Sequence, residues 1–174
     1  MADVPEGLVL RRHRDLVGRK NHIWIRRGLL ALLVLFLVVA LANLFGQRPG
    51  TAKVSTTAAT IAVYAPARIR SGLYYEARFH IFARQEIKNA VLVLGSGWIE
   101  GITLNTIEPS PVGEASDNGR LELTLGHIPA RQSYLLFVQS QVNPTTLGRR
   151  SQDAWLYDGK TRLAKLDRTM TIFP

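Results

Sequence analysis

The chain contains no cysteine. That excludes disulfides, thiolate metal sites and cysteine nucleophiles, so a domain outside the cytoplasm must be held by its core alone, which about 115 residues can manage. Other absences narrow the function classes further. No H-E-x-x-H, G-x-S-x-G or phosphate-binding loop occurs, and the acidic residues show no metal-loop spacing. Of the four histidines, His13 and His22 lie in a basic leader, His80 points outward from an alternating segment, and His127 follows Gly126 in a turn. No RNA-recognition, zinc-finger or helix-turn-helix signature is present. No residue is therefore nominated as catalytic, metal-ligating or cofactor-binding. The expectation is a chain that is not an enzyme, carries no cofactor and binds no nucleic acid.

One long apolar run stands against these absences. Gly28 to Gln47 is twenty residues without a charge, thirteen of them Leu, Val or Phe. At about 1.5 Å per residue a helix of that length covers roughly 30 Å, the hydrocarbon thickness of a bilayer. Ala40-Leu41-Ala42 offers a small-residue cleavage site, but a secretory signal has a shorter apolar core and a shorter start than the twenty-seven residues found here. An uncleaved anchor is expected. Residues 1–27 hold seven Arg or Lys, whereas residues 48–67 hold only Arg48 and Lys53, so the N-terminus belongs in the cytoplasm. Trp24 would sit at the inner interface and the basic leader on anionic lipid.

The net charge of +9 divides accordingly. The leader has seven basic and three acidic side chains (+4), and residues 48–174 have fifteen and ten (+5). Nearly half of the excess is thus a topology signal.

Residues 48–58 are rich in Gly, Thr and Ser and read as a flexible tether. Beyond them the pattern has period two. In residues 72–85, Leu73, Tyr75, Ala77, Phe79, Ile81 and Ala83 fall on one face, while Tyr74, Glu76, Arg78, His80 and Phe82 fall on the other. Similar runs occur at 60–64, 90–94, 102–107, 121–125, 134–142, 154–157, 161–166 and 169–173, between turn signals such as Asn118-Gly119 and Asp158-Gly159. The expected fold is all-β: an antiparallel immunoglobulin-like sandwich of seven to nine strands over residues 59–174, preceded by one transmembrane α-helix.

The segments YYEARFHIFARQEIKNAVLVL, GITLNTIEPSP and NGRLELTLGHIPARQSYLLFVQSQV resemble bacterial immunoglobulin-like modules of the CARDB (cell-adhesion-related) and conserved-repeat type. Gly119, Leu121, Leu125, Gly126, Ile128 and Ala130 match the segment that precedes a Val- and Thr-rich strand there, with Arg131 in place of the usual Gly. The resemblance spans about residues 60–143. It implies an envelope-facing adhesion, scaffolding or docking module, and no catalytic residues to carry over.

Two local motifs remain. Gly95, Gly97 and Gly101 follow an apolar strand and imitate a dinucleotide-binding loop, but ITLNTIEPSP after them cannot open the helix that such a loop needs. A strand-to-strand bend is expected. If Asp158-Gly159 is a two-residue turn, Trp155 pairs with Arg162 and Tyr157 with Lys160. Trp155, Tyr157, Lys160 and Arg162 then share one face, with Arg162 able to stack on Trp155, and Ala154, Leu156, Thr161 and Leu163 share the other. With the aliphatic face inward, the first set is a candidate partner-binding surface; with the faces reversed, Trp155 is a core anchor. Trp98 has the same two readings. The functional expectation is an anchored accessory or assembly subunit of a bacterial envelope, held in the bilayer by residues 28–47 and bound to another envelope protein. The alternative is a carbohydrate- or small-ligand-binding sandwich.

Overall fold

The computed structural model describes residues 21–42 and 46–174. His13, Asn43 and most of the basic leader lie outside the described residues. The chain separates into two units, 1–44 and 45–174.

The described part of the first unit is one helix, α1 (His22–Leu41), with no buried residue. Its mean hydropathy reaches 2.2 over eighteen residues, long and apolar enough to cross a membrane, as an anchor or a signal sequence would be. It begins six residues before the expected Gly28 and ends six before Gln47. Nothing in His22–Arg27 breaks a helix, and the Arg27 guanidinium lies 5.4 Å from the Trp24 ring centroid, one turn away.

The second unit is all-β. Its strands are β1 (Arg48–Ser55), β2 (Ala59–Arg70), β3 (Tyr74–Ala83), β4 (Ile87–Leu94), β5 (Ile102–Glu108), β6 (Gly113–Asp117), β7 (Arg120–Ile128), β8 (Ser133–Val142), β9 (Gly148–Ser151), β10 (Ala154–Asp158), β11 (Thr161–Leu166) and β12 (Thr169–Phe173). Seven form one sheet in the order β5-β8-β3-β2-β12-β9, with β1 also on β2; five form the other in the order β11-β10-β4-β7-β6.

Twelve strands replace the seven to nine expected, and the pairing is not wholly antiparallel, since β12 runs parallel to β2 through Thr171–Phe173. The extra strands are β1, β6 and β9. The supposed tether is the clearest correction: Pro49 to Ser55 pair residue by residue with Pro66 to Thr60. Ala52 and Val54 alternate inward against the core, but with only two small apolar side chains among Gly, Thr and Ser the stretch reads as a linker.

The core lies between the inward faces of the two sheets. Ile61, Val63, Phe79, Ile81, Leu136 and Val138 come from the first; Leu92, Leu94, Leu123, Leu156 and Leu166 come from the second. The glycine-rich stretch forms a 3-10 turn (Ser96–Trp98) that drops Trp98 into this core, fully buried and 5.1 Å from the Phe79 centroid. A Cβ at Gly97 would overlap the Ser151 carbonyl, so the motif serves close backbone approach.

Polar groups close this end of the core. Trp98 Nε1 donates to the Asp153 carbonyl (3.1 Å), and Arg168 lies over the indole, 5.3 Å from its centroid. The Arg168 guanidinium donates to Gln152 Oε1 (2.7 Å), Ala65 O (3.0 Å) and Pro66 O (2.8 Å), while Gln152 Nε2 donates to the Tyr75 hydroxyl (3.3 Å). Burial lowers the Arg168 pKa and raises that of Tyr75.

Candidate functional site

The hairpin singled out from the sequence lies in the five-stranded sheet, with β10 between β11 and β4. Ala154 and Leu156 are buried, so Trp155 and Tyr157 belong to the opposite, outer face; Trp155 is half-buried and is not a core anchor.

Its register differs from the sequence expectation. The turn is Gly159-Lys160, with Asp158 opposite Thr161 and Gly159 at φ +55°. An irregularity follows: Tyr157 faces Arg162, yet Leu156 faces Ala164, leaving Leu163 as the extra residue of a bulge. Ala164 and Leu166 therefore take the core positions expected of Thr161 and Leu163. Lys165, not Arg162, stands opposite Trp155, and Lys160 sits in the turn. Two bonds to β4 explain the shift: Asn89 N donates to Asp158 Oδ1 (2.8 Å) and Gly159 N donates to Asn89 O (2.8 Å). With Asp158 held as the last paired residue, the turn moves one position on.

Across the outer face, Trp155 is beside Val93, which faces Glu122, and Tyr157 is beside Val91, which faces Thr124. The group stacked on Trp155 is Arg120, 4.8 Å from the ring centroid, rather than Arg162. Arg120 is delivered by the β6–β7 hairpin, whose Asn118 and Gly119 both have positive φ (+49° and +72°), as a type I′ turn demands. A groove of about 450 Å³ runs between the two hairpin tips, floored by Val91 and Val93 and flanked by Tyr157, Lys160, Arg120 and Glu122.

The structure thus brings Trp155, Tyr157 and Arg162 to one face and puts Lys160 on its rim. Sequence reasoning missed Arg120, Val91, Val93 and Glu122. Alternation around Leu121, Leu123 and Leu125 does place Arg120 and Glu122 outward, but strand adjacency is not readable from periodicity. Trp98, given the same two readings, is a core residue. His80 and His127 are exposed, and His127 Nε2 lies 2.9 Å from Glu86 Oε1. Among the described residues no three His, Asp or Glu side chains gather as a metal site would require.

No protein-family model and no curated protein sequence matches the chain. Among solved structures, one titled "AvmM Catalyzes Macrocyclization in Alchivemycin A Biosynthesis" aligns with 74% of this chain and 90% of that chain, at 8% identity and a TM-score of 0.44. By its title that neighbour is a catalyst, so the expectation that this chain is not an enzyme is withdrawn. A likeness this slight transfers no activity and no residue role.

Proposed function

We propose that the chain is a single-pass protein of a bacterial envelope, N-terminus in the cytoplasm, that docks another envelope protein on the outer face of its five-stranded sheet. The observation that carries this reading is Trp155, Arg120 and Tyr157 side by side on a face the core does not use. Trp, Tyr and Arg dominate binding hot spots, and here they stand on paired strands that need no reordering on contact. Arg120, Lys160 and Arg162 outnumber Asp117 and Glu122, with Lys165 paired to Asp167, so the surface suits an acidic partner segment. The apolar helix supports the anchor, and the flank asymmetry in basic residues supports the orientation.

The resemblance to CARDB-type modules belongs to the same reading. Its local support is Arg131, which holds a left-handed conformation (φ +63°) where those modules carry Gly. The carbohydrate alternative draws on the groove beside Tyr157, but Arg120 covers the indole face on which a sugar ring would stack.

The test is a photo-crosslinking residue at Arg162 in the full chain, in its own membrane, with Gln139 on the other sheet's outer face as the control. One discrete protein adduct from Arg162 and none from Gln139 is expected. Equal yields, or none from either, would sink the proposal.

A further inference from the structure

The outer face of the seven-stranded sheet carries a trough that runs across the strands. Val63, Ala77, Phe79, Leu136 and Val138 point into the core, so alternation turns Tyr64, Arg78 and Phe137 outward. These three stand in one row on β2, β3 and β8, and Glu108 on β5 continues it. Two residues along each strand lies a second row: Pro66 on β2, Glu76 on β3, Gln139 on β8 and Thr106 on β5. Two adjoining hollows occupy the rows, of about 310 Å³ beside Tyr64 and about 260 Å³ beside Phe137, and Glu76 lines both. Four strands at about 4.8 Å spacing make the trough roughly 15 Å long.

Its charges nearly cancel. Arg78 Nε donates to Glu76 Oε1 (2.6 Å), which leaves Glu108 as the one carboxylate over. A phosphate, a nucleic acid or an acidic peptide therefore gains nothing here, and the occupant that fits is uncharged. What the trough offers such a ligand is two aromatic rings and a mixed set of donors and acceptors: guanidinium, amide, hydroxyl and carboxylate. The Arg78 guanidinium lies between the rings, 5.7 Å from the Tyr64 centroid and 5.9 Å from that of Phe137. It is farther from each ring than Arg120 is from Trp155 (4.8 Å), and Tyr64 remains 45% exposed, so ring surface is left open. Tyr64 and Phe137 stand two strands apart, about 10 Å, which is the span of alternate rings in an extended glycan. The C–H faces of pyranose rings stack on aromatic side chains, and their neighbouring hydroxyls meet planar carboxylate, amide and guanidinium groups.

We infer that this trough binds an uncharged linear oligosaccharide, with Tyr64 and Phe137 as stacking platforms and Glu108 and Gln139 as hydrogen-bonding groups for ring hydroxyls. The site is independent of the partner face, which belongs to the other sheet, and gives the chain a second ligand of a different class.

Gln139 is exposed, so a photo-crosslinking residue there reports on the trough without disturbing the core. The full chain, in phosphatidylcholine nanodiscs free of glycoside detergent, is irradiated with biotinylated cellohexaose or chitohexaose. A biotin adduct is expected from Gln139 with at least one of the two sugars, and none from Arg162. Untagged hexasaccharide should compete at about tenfold lower concentration than its monosaccharide, which reaches one ring only. Tyr64→Ala and Phe137→Ala, each combined with the crosslinker, should lower the yield several-fold, whereas Trp155→Ala should leave it unchanged. No adduct with either sugar, or one that both substitutions leave undiminished, overturns the proposal. So does a sugar adduct from Arg162 alone, which would move the site to the other sheet. A protein adduct from Gln139 in the native membrane would likewise overturn it, by giving the trough to a protein.

Discussion

Trp98 and Trp155 each carry an arginine over the ring, at 5.3 Å and 4.8 Å, yet the two pairs sit in opposite surroundings. Around Trp98 the polar side chains are tied to one another and to the backbone: the indole N–H on the Asp153 carbonyl, Arg168 on Gln152 and two backbone carbonyls, Gln152 on Tyr75. Around Trp155 the ring lies half-exposed on an aliphatic floor, and its arginine borders a groove. The same cation–aromatic contact is a structural tie in one place and an available surface in the other. Burial, not residue type, makes the difference.

The comparison breaks most visibly at Trp98. Trp98→Ala removes a fully buried ring that packs on Phe79 and takes one of two donors from the Asp153 carbonyl, Gly95 N remaining, so a loss of about 3 to 5 kcal/mol is expected. Urea unfolding measures it; a loss under about 1 kcal/mol would mean that the 3-10 turn refolds around the gap. Arg168→Met comes next. It preserves much of the side-chain volume but strips donors from three acceptors, and should cost about 2 to 3 kcal/mol. A neutral outcome would show that water replaces the guanidinium and that this end of the core is open.

Alkaline pH sharpens the contrast through Tyr75. Burial raises its folded pKa above the ordinary phenol value, so once pH passes about 10 the unfolded chain releases a proton that the folded chain keeps. Stability from this group is fully present below that pH and falls as pH rises towards the folded pKa, with a slope of at most about 1.4 kcal/mol per pH unit. Tyr75→Phe should flatten this loss above about pH 10. An unchanged slope would assign it to other groups.

How much of this was legible depends on residue size and on adjacency. Period-two alternation with large side chains located β3, because Tyr75, Phe79 and Ile81 leave no doubt about the inward face. It missed β1, whose inward residues Gly50, Ala52 and Val54 are small and stand among Pro, Thr and Ser, and β6 and β9, which are short sheet edges. The Asn118-Gly119 turn was readable because both residues tolerate positive φ. The Asp158-Gly159 turn was misplaced by one residue because Asn89, sixty-nine positions away, holds Asp158 in the ladder. That slip exchanged Arg162 for Lys165 opposite Trp155. Arg120 could not be assigned to Trp155 at all, since β7 and β10 meet only through β4.

The smallest expected stability change tests the other half of the comparison. Trp155 lies on the outer face, where its row neighbours are Lys165 and Val93 and its stacking partner is Arg120. The core beneath is already closed by Ala154, Leu156, Ala164 and Leu166. Trp155→Ala therefore leaves no internal cavity and should cost no more than about 1 kcal/mol, the range of substitutions outside a packed core. The same change should weaken capture of the partner crosslinked from Arg162 at least tenfold, since truncating a hot-spot aromatic typically costs 2 kcal/mol or more of binding energy, roughly a thirtyfold factor. Arg120→Ala, which uncovers the indole, separates the two ligand classes: protein capture should fall with it, whereas sugar binding on the freed ring should rise. Thermal unfolding read beside quantitative crosslinking decides the matter. A Trp155→Ala chain that loses stability as Trp98→Ala does would make the two tryptophans alike and remove the outer face as a docking surface.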